Sequence, residues 1–440
     1  MKRLYRIASL VLLLTASSHL QAQTVKDTGT AMSLEACIDY AFKHSPTLQQ
    51  TLLDRDITEH GIRSRLADWY PQISFDYNIQ HYFELQQINI NGNLIRSGLE
   101  NTSLAQFSAT QNIFNSDVLL ASNTAKQVRR QADQNIVSSK IDVTVNVGKA
   151  FYNVLLTQEQ LKVLDENITR LDRNLKQARD QYEGGITDKV DYKRATISLN
   201  NTKAQRKTAE EVWKAKVAYL KMQMGYPDSV ALHMVYDSAQ LHSMAVIDTL
   251  SPADPQNRIE YQLLRTTQQL QHANYNYYKW KFLPTLQAFG NYNLSYLNNE
   301  FNKLYNMSYP YSFAGVRLSL PLFQGMKRVE NMKQARLQLQ RVDYDLQNLD
   351  NSVSAEYAQA MSVYKGNLND YYALQENVQI ARDVFNTIEL QYKAGIKTYL
   401  ELITAQTDLR SSELNYTNAL YQLLGARLDV ERARGAIVPQ

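Results

Sequence analysis

"QYEGGITDKVDY" (residues 181–192) and "QYKAGIKTYLEL" (391–402) are one phrase written twice, 210 residues apart. In each, a glycine (Gly185, Gly395) ends a long apolar-periodic stretch, and glycine takes the left-handed conformation that stops a helix at little cost. Asp188 and Thr398 follow as N-caps of a returning helix, with Asp191 and Glu401 three residues on, where a capping box wants an acid. Tyr182 and Tyr392 stand three residues before the two glycines. The phrase reads as the tip of a helical hairpin, and there are two such hairpins.

The flanks show how long the hairpins are. Val143, Val147, Ala150, Val154, Thr157, Leu161, Leu164, Ile168, Leu171, Leu175, Ala178 and Tyr182 step by alternating threes and fours. Val353, Tyr357, Ala360, Tyr364, Asn367, Tyr371, Leu374, Val378, Ala381, Phe385, Ile388 and Tyr392 repeat the pattern. A 3.5-residue period held over more than four heptads predicts a coiled coil. No proline lies between residues 115 and 227 or between 321 and 439. A helix over 116–180 would reach roughly 100 Å.

The same shift places Val143 on Val353, Leu164 on Leu374, Asn167 on Asn377, Ala195 on Ala405 and Gly225 on Gly435. The chain thus divides into a first repeat (23–225), a connecting segment (226–255, with Pro227, Pro252 and Pro255), a second repeat (256–435) and a tail (436–440).

Each repeat also predicts two strands, at about 72–83 and 104–114 and again at 285–297 and 313–323. After Pro71, Ile73, Phe75, Tyr77 and Ile79 alternate with Ser74, Asp76, Asn78 and Gln80. In the last strand Ala314, Val316 and Leu318 face one way, with Arg317 and Ser319 opposite. Aromatic-rich period-two segments of this length are the pattern of outer-membrane barrel strands. Four strands leave two open edges, which lipid does not tolerate, so a barrel must be shared between copies. The joins at 84–103 and 298–312 read as loops.

Composition supports export. "MKRLYRIASLVLLLTASSHLQAQ" has a basic start (Lys2, Arg3, Arg6), a short apolar run and a small-residue exit, so residues 1–22 are expected to be a secretory signal peptide cut after Ala22. Cleavage removes three positive charges and lowers the formal charge from +4 to +1, leaving no basic excess for nucleic acid. The one cysteine, Cys37, allows no internal disulfide and reads as a small buried residue. The seven histidines lack metal-ligand spacing, and there is no G-x-S-x-G motif or phosphate loop. No enzyme, cofactor or metal is expected.

Taken together, "SLEACIDYAFKHSPTL" (33–48), "SLPLFQG" (319–325), "YKAGIKTYLELITAQ" (392–406) and the duplicated order of helices and strands resemble the TolC-like outer-membrane efflux proteins over nearly the whole mature chain. The resemblance implies a mainly α fold with a membrane β part. Three protomers would form a twelve-stranded β-barrel in the outer membrane of a Gram-negative bacterium, continued by a twelve-helix α-barrel across the periplasm. It also implies partners: a periplasmic adaptor that docks on the hairpin tips, an inner-membrane pump and outer-membrane lipid. Acidic residues of that family narrow the periplasmic entrance. Here Glu401 stands at the first such position, but Thr404 occupies the second. Small-molecule efflux is the leading expectation and one-step protein secretion the alternative. A periplasmic coiled-coil scaffold without a pore is the reading from another class.

Overall fold

The structure is a computed structural model that describes residues 31–90, 92–249, 252 and 254–437; the expected signal peptide lies outside them. Two helices dominate, α3 (Ser116–Glu183, 68 residues) and α7 (Lys327–Lys393, 67 residues). At 1.5 Å per residue each extends about 100 Å. Asn115 starts α3 by accepting a hydrogen bond from the Asp117 amide.

Shorter helices fill the sides of these two in two tiers. Towards the hairpin tips, α4 (Lys189–Met224) packs on α3, and α8 (Tyr399–Arg434) packs between α3 and α7. Towards the sheet, α2 (Pro46–Leu66) takes the place beside α3 and α6 (Ile259–Trp280) the place between α3 and α7. Each cross-section is therefore a row of four helices. Its two outer members, α2 or α4 at one side and α7 at the other, have a free flank.

Stacked helices meet end to end at a glycine. Gly225 and Gly435, 210 residues apart, both have φ of +69°. A Cβ on Gly225 would lie 2.3 Å from the carbonyl oxygen of His44, where α1 (Leu34–His44) turns into α2. A Cβ on Gly435 would lie 3.1 Å from Asn257, just before α6.

The heptad positions of α7 are all buried or half-buried, with Tyr364, Tyr371, Val378, Phe385 and Tyr392 buried every seventh residue. In α3 the heptad positions from Val143 to Ala178 are buried or half-buried as well, with Tyr182 at the end exposed. Between 164 and 178 the buried residues are Leu164, Asn167, Leu171, Asn174 and Ala178, while Ile168 and Leu175 are half-buried. Because α3 sits between two helices, it buries a face wider than one seam, and adjacent positions share it.

The connecting segment wraps the middle of the bundle. Residues 31–32 and 233–234 pair as a short parallel bridge, and α5 (Ser238–Ala245) packs on α8. Fully buried Tyr364 donates its hydroxyl hydrogen to Ala245 O and accepts from the Ile247 amide, so both polar ends of that turn are satisfied. Cys37 is fully buried nearby, and burial pushes its thiol up to about 12.

The sheet has four antiparallel strands in the order β1–β4–β5–β6: β1 (Gln72–His81), β4 (Asn101–Phe114), β5 (Thr285–Asn298) and β6 (Ser308–Ser319). Each repeat supplies one hairpin, and β4–β5 joins them. Strand ends differ from expectation. β6 runs 308–319 rather than 313–323, because Pro310 is tolerated on an edge strand while Pro321 cannot continue the ladder. The 84–103 join, expected as plain loop, holds a small hairpin, β2 (Gln87–Ile90) with β3 (Asn93–Arg96), and β4 begins before that join ends. An Asn-Gly pair at 91–92 between alternating residues was its sequence signal.

Register settles which residues share a face. Phe75 stands opposite Phe107, which stands opposite Tyr292; Tyr77, Ala105 and Leu294 form the next aligned set. This apolar face is open: Ile73, Phe75 and Leu318 are all more than half exposed.

Candidate functional site: the paired hairpin tips

Both tips close with the same backbone device. At the first, Ile186 N donates to Gln181 O and Gly185 N to Tyr182 O; at the second, Ile396 N donates to Gln391 O and Gly395 N to Tyr392 O. These crossed bonds satisfy the last carbonyls of the helix and require a left-handed residue, which Gly185 (φ +71°) and Gly395 (φ +72°) supply. Nothing lies within 4 Å of a Cβ at either glycine, so conformation alone selects glycine there.

The caps differ. Thr398 and Glu401 form the complete box: Glu401 N donates to Thr398 Oγ1 at 3.3 Å, and Thr398 N donates to Glu401 Oε2 at 2.9 Å. Asp188 caps α4 through the Val190 amide instead, and Asp191 does not reach back to close a box. Aspartate is one methylene too short for the reach that Glu401 makes. The box expected at the first tip is therefore absent.

Glu401 also accepts a 2.7 Å bond from Lys397 Nζ. That bond first, then the two from Thr398, hold its carboxyl down at about 2. Because this pKa is depressed, the contribution of the box is complete above the ordinary carboxylate range, declines as pH falls below that range, and is gone once pH has fallen through about 2. Thr404 lies one turn on, exposed, its hydroxyl bonded back to Leu400 O.

The second tip is the more buried. Tyr392 and Tyr399 pack with Ala178, Ala195, Phe385 and Leu402 in a small core separate from the main one. Tyr392 donates to Gln181 Oε1 at 3.0 Å, tying the second hairpin to the first. Burial, then nearby Asp191, raises its pKa, so the hydroxyl stays protonated and a donor. Tyr392 thus shapes the tip, whereas its equivalent Tyr182 is partly exposed against Tyr192.

Two residues missed in the sequence complete the outer surface. Ile186 and Ile396, 76% and 72% exposed, each follow the left-handed glycine. Their signal was the Gly-Ile pair shared by both phrases.

Behind the tips, polar residues cross the buried seam. Asn174 Nδ2 donates to Gln406 Oε1 and Gln406 Nε2 to Asn167 Oδ1, both at 2.9 Å. Gln406→Leu should cost about 1–3 kcal/mol, because two buried amide groups lose their partners. Replacing Asn167, Gln406 and Asn174 all by leucine should restore most of that, in thermal unfolding followed in detergent. A single change as mild as Thr407→Ala, on the exposed side, would show that the ladder does not hold the register.

A sequence profile described as "Outer membrane efflux protein" matches residues 37–225 and 256–436. The chain is 22% identical over 417 residues to "Outer membrane protein TolC" of Vibrio cholerae, covering 93% of this chain and 92% of that one. It is 21% identical over 425 residues to "Proteases secretion protein PrtF" of Dickeya chrysanthemi, covering 93% and 89%. The solved structure of CusC superposes with a TM-score of 0.75 at 15% identity, covering 91% of each chain. Matched through both of its halves, the chain belongs to the outer membrane efflux protein family.

Proposed function

We propose that this outer-membrane protein works as a trimeric exit duct, passing small molecules from an inner-membrane pump and its periplasmic adaptor to the outside. The observation that carries the reading is the sheet: four strands, an exposed apolar face, and edges β1 and β6 without partners among the described residues. In lipid such edges must pair, and β6 of one copy can meet β1 of the next. Three copies would supply twelve strands, enough to leave a lumen.

The helices support the same head-to-tail contact. Leu53 and Ile57 on α2, Ile197 on α4, and Leu337 and Tyr344 on α7 are large, apolar and exposed on the outer members of the row. The polar sheet face (Ser74, Asp76, Asn78) would line the lumen, and the tips would form the periplasmic mouth and adaptor-docking end. Tyr182, Gly185, Asp188, Asp191, Gly395 and Thr398 shape its surface, with Glu401 and Thr404 at the constriction. Mass measurement of detergent-solubilised protein, with imaging down the axis, should show threefold symmetry. A stable membrane monomer, or extraction without detergent, would sink the duct. The similarity to PrtF keeps protein secretion as the second reading, which the pump encoded beside this gene would decide.

Substitution at the tip glycines should separate docking from assembly. Gly185→Val or Gly395→Val adds roughly 1–2 kcal/mol of left-handed strain. Dye export should weaken while the trimer persists. Normal export, with no crosslink from Asp188→Cys or Thr398→Cys to the adaptor, would place docking elsewhere.

At the mouth, Lys397 offsets the charge of Glu401. Glu401→Gln should therefore shift ion selectivity towards anions and Lys397→Gln towards cations in single-channel recordings. Unmoved reversal potentials in both would reduce Glu401 to its cap.

A further inference from the structure

The polar face of the sheet is not polar throughout. On β5 and β6 it carries Phe289, Phe313, Tyr311 and Tyr309, on a side furnished mostly with Gln, Asn, Ser and Thr and with Leu104 and Leu297 towards its far end. Three of the rings touch in sequence, and Tyr309 follows two residues beyond Tyr311 on the same face. Phe289 and Phe313 meet at 6.2 Å and 72°, and Phe313 and Tyr311 are stacked at 6.5 Å and 10°. Phe289 lies opposite Gly315, with Cζ 3.0 Å from where a Cβ would stand, so that ring covers a glycine. Covering a glycine accounts for Phe289. It does not account for Phe313, Tyr311 and Tyr309, each about half exposed.

The lower end of the row is a guanidinium. Arg317 lies 5.2 Å from the Phe289 ring centre and forms no ion pair among the described residues. Asp76, the one acid in the four strands, is level with Tyr311, six residues up β6 or about 20 Å away. From Arg317 to Tyr309 the row runs about 26 Å along the strand, or about 20 Å of barrel height at the usual strand tilt. Beside Tyr311, the buried Asn293 Nδ2 is a second donor without a partner among the described residues.

We propose that this row is a track for aromatic organic anions, planar rings carrying a carboxylate or sulfonate, on their way through the barrel. The inference rests on the trimeric duct reading, which turns this face to the lumen. Arg317 stands beside the helical end of β6, so cargo from the helical section meets the cation first and the ring faces afterwards. An unpaired guanidinium selects the anionic group, and exposed π faces select the ring. Cationic cargo is disfavoured at the same position.

The test is current block in planar bilayers holding the full-length protein. The probes are 2-naphthalenesulfonate and cyclohexanesulfonate, which share a charge but not an aromatic ring. The aromatic probe should block at several-fold lower concentration. Phe313→Ser and Tyr311→Ser, both on half-exposed edge positions, should each reduce that preference with unitary conductance kept. Arg317→Gln should weaken block by both sulfonates. Equal block by the two probes, or an unchanged preference in both serine variants, overturns the track while the duct stands. Absence of any conducting insertion overturns the duct and the track with it.

Discussion

Gly225→Ala should be among the most damaging single-methyl additions in the chain, at about 3–5 kcal/mol. The added Cβ would stand 2.3 Å from His44 O and 2.8 Å from His44 C, and backbone atoms cannot swing aside as a side chain does. Left-handed strain at φ +69° adds to the clash. Relief requires α4 to part from the α1–α2 joint, which opens the main core around Cys37, Leu220 and Met224. Gly435→Ala, with its nearest backbone atoms at 3.1 Å, should cost less, and Gly185→Ala, in open space, only its strain. Thermal unfolding in detergent and yield in the outer membrane would give the ranking. Equal losses at Gly225 and Gly185 would show that the end-to-end joint bears no load.

The second large effect is expected on the apolar sheet face. Phe75→Arg should reduce membrane insertion by about 2–4 kcal/mol, the range for arginine near the bilayer midplane. Phe75 is central in β1, more than half exposed, with its ring 4.8 Å from that of Phe107 on the next strand. Leu318→Arg should be milder, about 0–1 kcal/mol, because Leu318 lies one residue from the end of β6, where arginine reaches the interface. Asn78→Arg, on the opposite face, should be tolerated. Folding yields into vesicles of the three variants decide the matter. If Phe75 and Asn78 respond alike, the assignment of lipid and lumen faces is wrong.

The hairpin tips, the long helices and the alternation of the strands were legible in the sequence because each is set by short-range physics. A left-handed glycine, a cap and its acid three residues on, a 3.5-residue period and a two-residue period all act within a few residues. The repeat at 210 residues made them plainer, since each feature was written twice.

Other features depended on what lay across the structure. Asn167 and Asn174 looked like polar residues beside a leucine seam, and only Gln406, 239 and 232 residues away, makes them a buried ladder. The two tips share a sequence pattern, yet Tyr392 is buried against Tyr399 and Leu402 and bonded to Gln181 of the other hairpin, while Tyr182 meets only Tyr192 of its own hairpin as a ring partner and stays partly exposed. The aromatic row needed the β5–β6 register to set Phe289 across Gly315 and beside Phe313. Local periodicity determined which elements form and which way each faces. Tertiary packing decided which faces meet and which polar groups are buried together, because those contacts join residues that the chain holds far apart.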